Sequence, residues 1–193
     1  MGQYFLPVII DDAQPCRVVK TMHPYDYGFG LKIGEHAWCD NEFVGAFEIL
    51  LALDGPQRVV WAGDYAEPDQ GSDANLYHHA LGQKYLRFNV PGYGLERYLL
   101  PGDHPEPAID PPLIVSTDSH PVLLNHDRHE YIRKNDVPVD RYSRRRHPLP
   151  WLTVEGLGLR PTPAAPIGRW ARHRVSVSRT IPDGWTAVPF NLS

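Results

Sequence analysis

Cysteine is nearly absent, with 2 in 193 residues, so the chain can build neither a disulfide-dense scaffold nor a four-thiolate zinc site. Long apolar runs are missing too. The longest, Ile49 to Leu53, is cut off by Asp54, far short of the roughly 20 apolar residues that cross a bilayer. No Gly-x-x-x-x-Gly-Lys loop and no Gly-x-Ser-x-Gly elbow occurs. Gly28, Gly30 and Gly34 are wrongly spaced for a dinucleotide fingerprint, and nothing reads as a helix-turn-helix or an RNA-binding sheet. The opening Met1–Leu6 lacks the basic stretch and apolar core of a secretory leader, so the expected location is the cytoplasm and no membrane partner is expected.

Lysine is scarce as well, 4 against 15 arginines, and the arginines are unevenly placed. Residues 1–127 hold 7 basic and 18 acidic side chains, whereas residues 128–179 hold 12 basic and 4 acidic ones, within a net charge of -4. Such a split predicts that the two regions attract each other, or that the basic one meets an anionic partner. The densest run is Arg144-Arg145-Arg146-His147. A guanidinium fork binds two oxygens at once, which suits phosphate or carboxylate. The overall acidity argues against non-specific binding of duplex nucleic acid, which leaves the basic region 128–179 as the only nucleic-acid candidate.

A hydrophobic fraction of 42% and an aromatic fraction of 11% predict a folded chain. Apolar segments 3–10 and 16–22 flank Asp11–Pro15 and read as an antiparallel hairpin, in which Pro7 calls for an edge or a bulge. Residues 23–34 read as a Gly- and Tyr-rich loop. Phe43, Val44, Phe47, Leu50 and Leu51 fall at helical spacing and predict the principal helix over about 41–53, capped by Asp40 or Asn41 and stopped by Asp54-Gly55-Pro56. Arg58–Ala62 reads as a strand buried on both faces, 74–81 as a short helix, and 84–90 and 113–116 as strands. Residues 121–125 and 129–132 read as a hairpin, and 174–178 and 185–190 as late strands. Segments 91–112 and 156–169 are rich in Pro and Gly and read as irregular. The predicted fold is a single α+β domain spanning 1–193, a mainly antiparallel sheet with one principal helix packed on it.

Met1-Gly2-Gln3-Tyr4, Gly30-Leu31-Lys32, Arg58-Val59-Val60-Trp61-Ala62-Gly63-Asp64-Tyr65-Ala66, Asn125-His126, His147-Pro148-Leu149-Pro150 and Glu155-Gly156 occur in that order. Together they resemble a family of small uncharacterised proteins from bacteria, phages and large DNA viruses, and Arg58–Ala66 is the most specific part. The resemblance implies kinship and no particular activity. Where that family continues from Glu-Gly into a glycine cluster and an Asp-Tyr, this chain runs Gly156-Leu157-Gly158-Leu159-Arg160-Pro161.

The candidate chemistry starts from Asp64, which follows a buried strand through Gly63, as catalytic and binding groups often do. Glu35-His36 pairs a carboxylate with an imidazole suited to acid–base work. His126 and His147 complete the candidate catalytic set. Arg144, Arg145, Arg146, Trp151 and Glu155 form the ligand-binding set, the cations for phosphate and the indole for a base. His126, His129 and Glu130 come closest to a metal-ligand spacing but match no zinc signature, so no metal is assigned, and the sequence names no cofactor. Cys39, near the helix start, reads as buried and inert.

The leading expectation is a small protein that binds, and acts on, a phosphorylated small molecule or nucleotide in one Asp/Glu/His cleft with Arg contacts. The alternative is an interaction module for a protein partner or a second copy, anchored by Tyr25, Tyr27, Phe29 and Trp38.

Overall fold

The computed structural model describes residues 2–82, 120–158 and 162–192. The first hairpin forms as its apolar pattern dictates: β1 (Phe5–Ile10) pairs antiparallel with β2 (Val18–Thr21). β1 is nevertheless an inner strand, because its other edge pairs antiparallel with β3 (Gln57–Gly63). Pro7 survives there because the β2 pairing begins only at Val8, and the Pro7 carbonyl is taken by the Thr21 hydroxyl at 2.9 Å. The missing N–H therefore faces no strand.

Five more strands extend the sheet. β7 (Arg174–Ser178) pairs antiparallel with the start of β3 and, further along, with β4 (Val122–Asn125). β4 forms its hairpin with β5 (Glu130–Arg133), and β8 (Thr186–Ala187) closes that edge in parallel. β6 (Val154–Glu155) lies parallel to the far half of β3. The order is β2-β1-β3-β7-β4-β5-β8, with β6 beside β3, a mostly antiparallel sheet and an α+β fold.

Helices cover both faces, which is why β1 and β3 read as continuous apolar runs rather than as alternating ones. Phe5, Ile9, Val59 and Trp61 point to one core with α2 (Glu42–Asp54), while Leu6, Val8, Val60 and Ala62 point to a second core with α3 (Leu76–Leu81). Asn41 caps α2 by accepting from the Phe43 and Val44 N–H groups. α2 has almost no wet face: Phe43, Val44, Ala46, Phe47, Glu48, Ile49, Leu50 and Leu51 are all buried.

Three short elements depart from expectation. The 23–34 loop contains a 3-10 turn over Pro24–Tyr27 and runs into α1 (Ile33–His36). α4 (Pro148–Thr153) is a helix over residues that the sequence pattern leaves unassigned. Pro148 and Pro150 occupy its first turn, where backbone N–H groups have no helical partner to lose. The last strand shrinks to two residues. Residues 156–158 and 162–169 hold no helix or strand. The strands expected over 84–90 and 113–116 and the irregular segment 91–112 lie outside the described residues.

Candidate functional site

The predicted acid–base residues are placed singly, each with a local partner. Asp64 accepts from the Tyr4 N–H at 3.1 Å and returns its own N–H to the Tyr4 carbonyl at 3.0 Å, tying the end of β3 to the chain start. Gly63 is required just before it, since a Cβ there would lie 2.6 Å from the Glu155 carbonyl oxygen. Gly156, at φ +78°, lets the backbone approach Ala66 in the same way. The Arg58–Ala66 and Glu155-Gly156 motifs thus meet as close packing. Glu155 itself is held bidentate by Arg172, at 2.5 and 3.1 Å.

Glu35 caps the start of α1 by accepting from the Lys32 N–H at 3.0 Å. His36 points the other way, into the core. Its Nδ1–H donates to the Gly30 carbonyl (3.0 Å) and its Nε2 accepts from the Trp61 indole N–H (2.9 Å). Burial pushes its pKa down to about 4, a neutral imidazole with both nitrogens occupied. His126 shares a 2.7 Å hydrogen bond with the Ser176 hydroxyl, and both His126 and His129 pack against Trp185 rather than converging on an ion. Among the described residues no group of three or more His, Cys, Asp or Glu is arranged to hold a metal.

His147 caps α4, its Nδ1 accepting from the Leu149 N–H, so the proton sits on Nε2 and is donated to Glu48 Oε1 at 3.0 Å. Glu48 also takes the Lys134 ammonium at 2.8 and 3.1 Å. The three side chains are buried, with residue exposures of 3% for Glu48, 5% for Lys134 and 1% for His147. Burial works against the Glu48 carboxylate, but the His147 N–H and the Lys134 ammonium outweigh it and hold its pKa below the usual range. Burial likewise keeps His147 below its ordinary pKa, hence neutral. This network is a balanced structural knot. The sequence reading missed Glu48 and Lys134, although a lone carboxylate inside the apolar run Phe43–Leu53 was the available signal. Cys39, close by, is pushed up to about 12 by burial and holds no thiolate.

One acid–base cleft is therefore not assembled. His126 donates its backbone N–H to Arg174, which pairs with Arg58 at the start of β3, whereas Asp64 follows the end of β3. Five strand steps from Arg58 to Gly63 alone separate those ends by roughly 17 Å.

The arginines divide into two kinds. Arg128 and Arg169 bind Glu130, which accepts also from the Trp170 indole; against its burial, these donors bring its pKa down to about 2. Arg172 binds Glu155 and Asp69, and Arg174 binds Asp12 and Asp127. Arg141, Arg144 and Arg146 form no ion pair with a carboxylate among the described residues. They lie on aromatic rings instead: Arg144 on Trp38 at 3.7 Å, Arg146 between Trp38 (5.1 Å) and Trp151 (5.4 Å), Arg141 on Tyr142 at 4.8 Å. Arg145 spends its Nε–H on the Val137 carbonyl, at 2.7 Å. The nearest acid in the loop, Asp140, uses Oδ1 for the Tyr142 and Arg144 N–H groups. Those hydrogen bonds, with the charges of Arg144 and Arg146, lower its pKa against partial desolvation.

Two isolated bridges fix this arginine run: Trp38 to Arg146 holds it against the segment after α1, and Val139 to Arg145 folds it back on its own loop. Next to it opens a hollow of about 420 Å³ whose lining includes Val139, Tyr142, Arg146, Phe190 and Leu192. Trp151, in ring contact with Arg146, is 8% exposed, its indole N–H without a hydrogen-bond partner among the described residues. Of the proposed aromatic anchors, Tyr27 and Phe29 are spent on the main core and Trp38 on the arginines, which leaves Tyr25 exposed. No protein-family model, no curated protein and no solved structure matches the chain.

Proposed function

We propose that this protein binds a phosphorylated small molecule at the arginine-lined hollow beside Trp38, and that the buried acids and imidazoles serve the fold rather than the chemistry. The observation that carries this reading is the contrast between the two kinds of arginine. Where the basic segment needs neutralising internally, carboxylates do it, at Arg128, Arg169, Arg172 and Arg174. Arg144 and Arg146 sit together on one indole and form no close ion pair among the described residues, an arrangement of like charges that Asp140 offsets in part and that a bound anion relieves further. Stacking occupies the flat face of a guanidinium and leaves its in-plane N–H groups to grip phosphate oxygens.

The test is a thermal-shift and calorimetric titration with inorganic phosphate and pyrophosphate at low salt, on the natural protein and on Arg144→Ala and Arg146→Ala. Both anions raise Tm of the natural protein, and each substitution weakens binding about tenfold, as loss of a charge-assisted hydrogen-bonding group does. Anion binding that ignores both substitutions, or no binding at all, overturns the reading.

A further inference from the structure

We infer that the ligand carries a planar ring beside its phosphate, which makes it a nucleoside monophosphate rather than a sugar phosphate. The inference rests on the phosphate-binding reading above and adds the half of the ligand that the arginines do not see.

Arg141, Arg146, Asp140 and Asn191 make the polar part of the lining, and the larger part is apolar or aromatic, with Val139, Tyr142, Phe190 and Leu192 in it. A sugar phosphate placed there would find Asp140 for one hydroxyl and set most of the others against hydrocarbon, where they lose water without a partner. A base loses little on its faces and gains by stacking. Tyr142 offers the platform: Arg141 covers one face at 4.8 Å, yet the residue remains 67% exposed. Val139, 55% exposed, lies in the same lining, so two large apolar side chains stand open to solvent where a polar loop would be expected. The volume, about 420 Å³, lies in the range of small-molecule sites.

One polar group fits the ligand's middle. Asp140 lines the hollow and commits only Oδ1 to the backbone, so Oδ2 accepts no hydrogen bond among the described residues. A carboxylate oxygen repels phosphate and welcomes a ribose hydroxyl or a ring N–H. The phosphate on the Arg144 and Arg146 side, the ribose at Asp140 and the base on Tyr142 form one consistent arrangement.

The probes are inorganic phosphate, ribose 5-phosphate, AMP, GMP, CMP and UMP, titrated calorimetrically at low salt. At least one nucleotide binds ten times or more tightly than ribose 5-phosphate. Tyr142→Ala and Val139→Ser, both at exposed positions, erase that advantage and leave ribose 5-phosphate binding unchanged; Arg144→Ala weakens every phosphorylated probe. Equal affinity for nucleotides and ribose 5-phosphate overturns the ring and leaves the phosphate site standing. An advantage that persists in both Tyr142→Ala and Val139→Ser overturns the placement of the ring in this hollow. Failure of every probe, inorganic phosphate included, overturns both.

Discussion

His36 shows how much the surroundings of one side chain decide. Beside Glu35 it reads as half of an acid–base pair, but helix geometry turns the two neighbours about 100° apart. Glu35 stays on the surface as a cap, and His36 enters the core between Gly30 and Trp61. Its pKa falls from the ordinary 6.5 to about 4 through burial. As pH drops through 6.5 the unfolded chain takes up a proton that the folded chain refuses until about 4, so stability decreases across that window. The loss amounts to roughly 3 kcal/mol from this residue. Urea unfolding at pH 7 and pH 4.5 is expected to show a lower midpoint in acid. His36→Phe, which leaves the Trp61 N–H and the Gly30 carbonyl unpaired, is expected to be less stable at pH 7 yet to lose less on acidification. An unchanged pH dependence in that variant would contradict the assignment. Asp64, His147 and Glu155 stand out in the sequence by residue type and position alone. Their partners were invisible, because a chain written in one dimension does not say that Tyr4, Glu48 or Arg172 will stand opposite.

Among the elements, those with strong periodicity were legible. The first hairpin, α2, the buried strand β3, the β4–β5 hairpin and β7 follow from apolar spacing and turn residues, since these signals are local. α4 was hidden because proline is a breaker in a helix interior and a starter in its first turn, and only the surrounding fold shows which applies. β8 was overestimated, because after two residues the chain leaves the sheet to put Phe190 and Leu192 into the main core and the hollow. This final segment is held by Trp185, packed against His126 and His129, and by the Thr186 and Val188 N–H groups donated to His129 and Tyr131. Trp185→Ala is expected to speed hydrogen exchange at the Thr186 and Val188 amides while the amides of β1 and β3 stay protected. Uniform acceleration over the whole sheet would show instead that Trp185 supports global stability.

At the level of the whole molecule, the acidic and basic regions do meet: Asp12 and Asp127 reach Arg174, and Asp69 reaches Arg172. These pairs are partly exposed, so they guide and orient more than they stabilise, and salt screens them. Raising sodium chloride from near zero to 0.5 M is therefore expected to lower Tm by no more than about 2–4 °C, the equivalent of about 1 kcal/mol in a chain of this size. Phosphate binding at Arg144 and Arg146 is expected to weaken several-fold over the same range. A large fall in Tm would mean that the ion pairs carry the fold.

By itself the sequence determined that an α+β fold would form, which apolar faces would be buried, and that charge would be segregated along the chain, because each of these depends on neighbours within a few residues or on composition. Only the tertiary structure decided which charges are cancelled. Arg172 and Arg144 are the same residue type in the same basic segment, yet one faces two carboxylates brought from elsewhere in the chain and the other lies on an indole. Electrostatic attraction acts through space over a few ångströms, so the identity of a site follows from which strands and loops fold against one another.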